Sequence, residues 1–183
     1  MKKYFLILVA LMTVTGNLYA QKKYKIGDYY DVNGKKGVVF SVNAEGTHGK
    51  AVSLNEYICT WENGLSYDAV GATNTSNGHY NSRMIMEHIN ATRASANKYP
   101  AYAYCTLEGG YLPSLNEVKA IFNNKQAINA TLYKLGRYLI KGKMWTSTEK
   151  DAVRAYHVYM DSGEEYASEK IENDRRARAV FTF

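Results

Sequence analysis

Past Val14 this chain of 183 residues has no apolar run approaching the roughly 20 residues that a bilayer-spanning helix needs, so no transmembrane segment is expected in the processed protein. It has no repeat of solenoid period and no low-complexity linker. A single domain is therefore expected, and the length is enough to bury a real core. Its net charge of +6 falls to +4 once Lys2 and Lys3 are removed, and the other cations are scattered among acids. Nucleic-acid binding usually needs a basic stripe on one face; no nucleic-acid partner is expected. Cysteine is scarce too, with only Cys59 and Cys105.

What is present begins with "MKKYFLILVALMTVTGNLYAQ": two lysines, an apolar run from Tyr4 to Val14, then small and polar residues ending at Ala20. That is the pattern of a signal peptide over residues 1–20, cleaved after Ala20 to leave Gln21 first. No cysteine follows to take a lipid. The destination is periplasmic, cell-surface or extracellular. There Cys59 and Cys105 could persist as a disulfide, or stay as two buried thiols acting as small hydrophobes.

Residues 21–54 read as an N-terminal β-meander. "KGVVFSV" and "GKAVSL" flank the turn formers of "NAEGTH", and Asn33-Gly34 marks an earlier turn. So short a segment cannot readily stabilise itself, so it should complete the domain that follows. A Gly/Asn/Ser/Thr-rich loop runs from Trp61 to Tyr80. Met84, Ile85, His88 and Ile89 then mark one face of a helix extending to about Ala96. "AYAYC" after Pro100 reads as either a helical turn or extended chain. Ser114 and Glu117 form an S-x-x-E capping box ahead of the stripe Leu115, Val118, Ile121 and Phe122. "AINATLYKLG" is a further short helix stopped by Gly136. From Met144 four β segments follow, "MWTST", "AYHVYM", "EEYASEKI" and "RARAVFTF". In the last, Ala177, Ala179, Phe181 and Phe183 alternate with Arg176 and Arg178. Strands, helices, strands is an α+β order.

Four ordered pieces, "TSNGHYNS", "YPAYAYC", "GGYLPSLNEVKAI" and "MWTSTE" with the ending "RARAVFTF", resemble the C-type lectin-like domains of exported bacterial proteins. The resemblance covers residues 55–183. It implies two short helices packed on an antiparallel sheet, with the Gly-Tyr-Leu-Pro step entering the second helix. Gly110 stands where that group usually has tryptophan. The resemblance also implies that the variable exposed face is Lys150 to Glu169, where alternation in "AYHVYM" sets Tyr156 and Val158 opposite His157 and Tyr159; the candidate ligand-binding residues are Trp145, His157, Tyr159, Glu164 and Tyr166.

Chemistry leaves few signals. No Glu-Pro-Asn, Gln-Pro-Asp or Trp-Asn-Asp motif offers the oxygen ligands calcium wants, and His48, His79, His88 and His157 show no metal-ligand spacing. No metal or cofactor is expected. Formylglycine-generating enzymes share the lectin-like fold but need a reactive cysteine pair late in the chain, and none follows Cys105. Ser147, His157 and Asp161 could be written as a triad, without a nucleophile-elbow motif. Seventeen tyrosines suit a contact surface. The expected role is a non-enzymatic binding module for a protein or a glycan; the alternative is a structural or accessory subunit of a bacterial surface assembly.

Overall fold

A computed structural model of the chain describes residues 22–64 and 67–183. The expected leader, 1–20, and Gln21 lie outside the described residues. The fold is α+β, with four helices and two mostly antiparallel sheets among the described residues.

The meander forms as β1 (Tyr29–Val32), β2 (Lys35–Val42) and β3 (Gly49–Ser53). Asn33 and Gly34 both take positive φ, 52° and 79°, the conformation a two-residue hairpin turn requires. Asn43 closes the next turn, its Oδ1 accepting from the Thr47 and His48 amides at 2.9 and 3.0 Å. β4 (Tyr57–Cys59) follows.

Helix α1 (Gly78–Thr92) ends before the expected Ala96, because Arg93 turns left-handed. "AYAYC" resolves as helical, within α2 (Pro100–Leu107), where Pro100 occupies the first turn and its missing N–H costs nothing. α3 (Leu115–Asn123) and α4 (Lys125–Lys134) come next. The two helices on one sheet that the resemblance implies are too few: α2 is a full helix, α4 forms as the sequence reads, and the strands divide between two sheets.

β5 (Lys143–Glu149), β6 (Arg154–Tyr159), β7 (Glu165–Glu169), β8 (Arg175–Ala177) and β9 (Val180–Thr182) complete the chain. One sheet has the order β1-β2-β3-β9, the other β4-β8-β5-β6-β7. The last strand thus returns to pair with the meander, Ala51 opposite Phe181. One buried cluster gathers Trp61, Ile85, Tyr99, Cys105, Trp145 and Phe181. The other gathers Phe40, Val52, Val118, Ile121, Met144 and Val158, with α3 between the sheets' inner faces.

"RARAVFTF" was expected as one strand with both arginines on its solvent side. It breaks instead between β8 and β9, and Arg178 at the break is buried. The crossing leaves strand-end carbonyls unpaired, and the guanidinium takes them: it donates to the carbonyls of Ser53, Leu54 and Tyr138 at 3.0, 3.1 and 2.6 Å, and to Glu56 at 2.7 Å. Buried carbonyls must find donors.

Glu117 does more than cap α3. Its carboxylate accepts from the Ser114 and Gly78 amides at 2.8 and 3.1 Å, from the Tyr111 hydroxyl at 2.7 Å and from Lys50 at 2.6 Å. It therefore ties together the starts of α1 and α3 and strand β3. Gly78 is required there, since a Cβ would stand 2.6 Å from the Glu117 carboxylate, the Leu112 carbonyl and the Ser114 nitrogen. Gly78→Ala should lower unfolding free energy by about 3 kcal/mol through overpacking and a lost charged hydrogen bond. Gly136→Ala, at φ 63° with open space around it, should cost only about 1 kcal/mol. Denaturant midpoints measured side by side check this ordering.

Candidate functional site

The five candidate residues meet in one place, in a row running from the core to the surface. Register sets Trp145 of β5 opposite His157 of β6, and His157 opposite Tyr166 of β7. The Trp145 and His157 rings meet edge-on at 5.8 Å, and Tyr166 stacks on His157 at 6.1 Å. Tyr159 touches both His157 and Tyr166, at 5.4 and 5.2 Å. The Tyr166 hydroxyl donates to Glu164 Oε2 at 3.3 Å.

Trp145 and His157 are nevertheless no part of the surface. Trp145 is fully buried, its indole N–H donating to the Cys59 carbonyl at 2.9 Å, with Arg175 over its face at 4.8 Å. His157 is 1% exposed, and neither ring nitrogen has a hydrogen-bond partner among the described residues. The expected alternation was right about the face; Tyr159, Tyr166 and Arg175 cover it. Burial, then the charges of Arg175 and Lys143, push the imidazole from its ordinary 6.5 down to about 4. What reaches solvent is Tyr166, half exposed, with Glu164 and part of Tyr159.

Cations that sequence reasoning passed over complete this site. Lys143 lies 5.5 Å from the Tyr159 ring and pairs with Asp174 at 2.6 Å; Asp174 also accepts from Arg175 at 2.7 Å. These pairs hold Asp174 below the usual carboxylate range, the Lys143 hydrogen bond contributing most. The signal for them was register: Arg175 pairs with Cys59, and with Met144 opposite Arg176 alternation puts Arg175 on the face that Lys143 and Trp145 share.

The other sequence candidates fall elsewhere. Cys59 and Cys105 are free, buried thiols in one cluster. Burial pushes the Cys59 thiol up to about 12 and raises Cys105 well above its ordinary value, the neighbouring Cys59 adding to it. Such thiols are poor nucleophiles. Ser147 is buried under α1, accepting from Asn81 at 3.0 Å, and makes no hydrogen bond to the unpartnered His157. His88 pairs with Asp68 at 3.4 Å. Among the described residues no three metal-ligating side chains converge, and no helix is long and apolar enough to cross a membrane.

A second surface feature lies along β4, the opposite edge of the same sheet. Three clefts of about 480, 260 and 380 Å³ share walls there. Leu54, Asn55 and Arg137 separate the first two, and Leu107 the second from the third. Tyr138 stands at one end, 73% exposed; Tyr57 and Leu107 stand at the other, 52% and 87% exposed.

No family model matches this chain, and no curated protein does. Its fold is similar to that of a fimbrial protein from Bacteroides ovatus ATCC 8483, with a TM-score of 0.63 at 16% identity. The likeness covers 87% of this chain and 48% of the fimbrial protein, so the chain spans about half that protein's length.

Proposed function

We propose that this chain is an exported, non-enzymatic structural or accessory subunit of a bacterial surface assembly. The observation that carries the reading is the fold likeness to a fimbrial protein over 87% of the chain. Two sheet edges that no other strand covers among the described residues, β4 and β7, support it, since an assembly needs surfaces left over after folding. Both carry exposed tyrosine. Within this reading residues 55–183 are a C-type lectin-like domain, supported by the order α1, capped α3, β5 and a final strand that returns to the meander. A second reading, a binding module for a protein or glycan, is favoured by Tyr166 and Glu164 standing exposed on a rigid aromatic row.

The test is to raise antibodies to the purified chain and shear surface appendages from cells that produce it. Recovery in the high-molecular-weight sheared fraction, and labelling of cells before shearing, is expected. Recovery solely as a free monomer in the periplasm or medium would overturn the assembly role.

A further inference from the structure

We infer that the β4 groove receives the β7 edge of a second copy of this chain, giving a head-to-tail contact. The inference deepens the assembly reading and rests on it.

The three clefts adjoin one another through shared wall residues, Leu54, Asn55 and Arg137 between the first two and Leu107 between the second and third. The groove lining combines exposed apolar surface, from Tyr57, Leu107 and Tyr138, with the positive charge of Arg137, and Lys141 adds a second cation in an adjoining recess that shares the Glu56 wall. Neither cation has an ion-pair partner among the described residues. Of the acids here, Glu56 is committed to Arg176 and Arg178, and Glu108 accepts from Asn55. The Tyr104 hydroxyl is buried in the wall without a hydrogen-bond partner among the described residues. The loop carrying Tyr138 is pinned: Arg178 holds the Tyr138 carbonyl, and the Asn129 amide brackets Ile140, accepting from its N–H at 2.7 Å and donating to its carbonyl at 3.1 Å. An exposed ring on a fixed backbone is ordered at little further entropic cost.

Charge along the sequence names the occupant. Residues 118–148 hold six Lys or Arg and no acid, whereas 161–174 hold six acids and one Lys. The β6–β7 hairpin and β7 bring Glu164 and Glu169 to the surface without ion pairs among the described residues, beside half-exposed Tyr166. A β7 edge cannot pair with another β7, because like charges would face each other. It fits the basic groove. β4 and β7 are opposite edges of one five-stranded sheet, roughly 19 Å apart at about 4.8 Å per strand. A contact between different surfaces leaves one of each free, so it repeats along a chain of copies.

The experiment is sedimentation velocity on the processed chain at 20 and 500 mM salt, with two neutralising variants, Arg137→Gln/Lys141→Gln and Glu164→Gln/Glu169→Gln. Expected for the parent is concentration-dependent growth beyond the dimer at low salt, weakened at least tenfold at high salt. Each variant alone should be monomeric, and their equimolar mixture should stop at a heterodimer, since each retains one intact surface. A parent that stays monomeric at 100 μM and low salt would overturn the inference, as would growth unaffected by either variant or a mixture that stays monomeric. If the parent is monomeric yet the chain is found in sheared surface assemblies, the self-contact fails while the assembly role stands.

Discussion

Lys170→Met is expected to lower the unfolding free energy by about 4 kcal/mol. Lys170 has no exposed surface. Its ammonium donates to the Asp68 carbonyl at 2.7 Å and to Glu149 at 3.2 Å, lies 3.4 Å from Glu62, and sits 4.6 Å over the Trp61 ring. Glu62 and Glu149 are equally buried. Glu62 is shared with Lys98, at 3.4 Å, and Glu149 accepts from the Val70 amide at 3.0 Å. Methionine keeps the packing over Trp61 but leaves two buried carboxylates with too little positive charge, and that imbalance carries the cost. Neutralising the set together, with Lys170→Met, Glu62→Gln and Glu149→Gln in one chain, should therefore recover most of the loss, although it changes more side chains. Denaturant unfolding of the single and triple variants decides the matter. A single variant within 1 kcal/mol of the parent, or a triple variant worse than the single, would show that packing rather than charge balance sets the stability here.

The same cluster shows what the sequence could and could not convey. Local signals were legible. The Asn33-Gly34 turn and the helix start at Ser114 are set by backbone conformation within four residues; the turn forms as read, and Glu117 accepts from the Ser114 amide as the box requires. Alternation along β6 correctly put His157 and Tyr159 on one face. Lys170 in "EKI" reads as a solvated charge, because its partners Glu62 and Glu149 come from distant segments. Arg178 was misread for a related reason: eight residues of unbroken alternation conceal a crossing between two sheets, and the carbonyls that claim its guanidinium lie outside that segment. The site divides the same way. Pattern found the aromatic row, but whether His157 faces solvent depends on which strands flank β6. Only the register of β5, β7 and β8 supplies that.

That register makes His157 the source of an acid-dependent loss of stability. The unfolded chain protonates this imidazole near its ordinary 6.5, the folded chain only near about 4. Between those values the unfolded state binds more protons, so stability rises with pH through the window and is lost as pH falls from 6.5 to about 4. Integrated, the loss is about 3 kcal/mol. Below 4 the contribution is flat. Facing the ring are the cations Arg175 and Lys143, which oppose its protonation, and Glu172 and Asp174, which favour it without prevailing. Asp68 and Asp174 have folded values held below the ordinary 3.8, chiefly by hydrogen bonds from Lys98 and Lys143. Their stabilisation is lost as pH falls through those lower values, so their effect is separated from that of His157. His157→Phe keeps a ring between Trp145 and Tyr166 and cannot titrate. Subtracting its stability curve from that of the parent, measured by denaturant unfolding from pH 7.5 to 3.5, should give a step confined to the window between 6.5 and 4. Parallel curves would mean that the imidazole either reaches solvent or takes up a proton in place without cost, and the buried aromatic row would lose its physical basis.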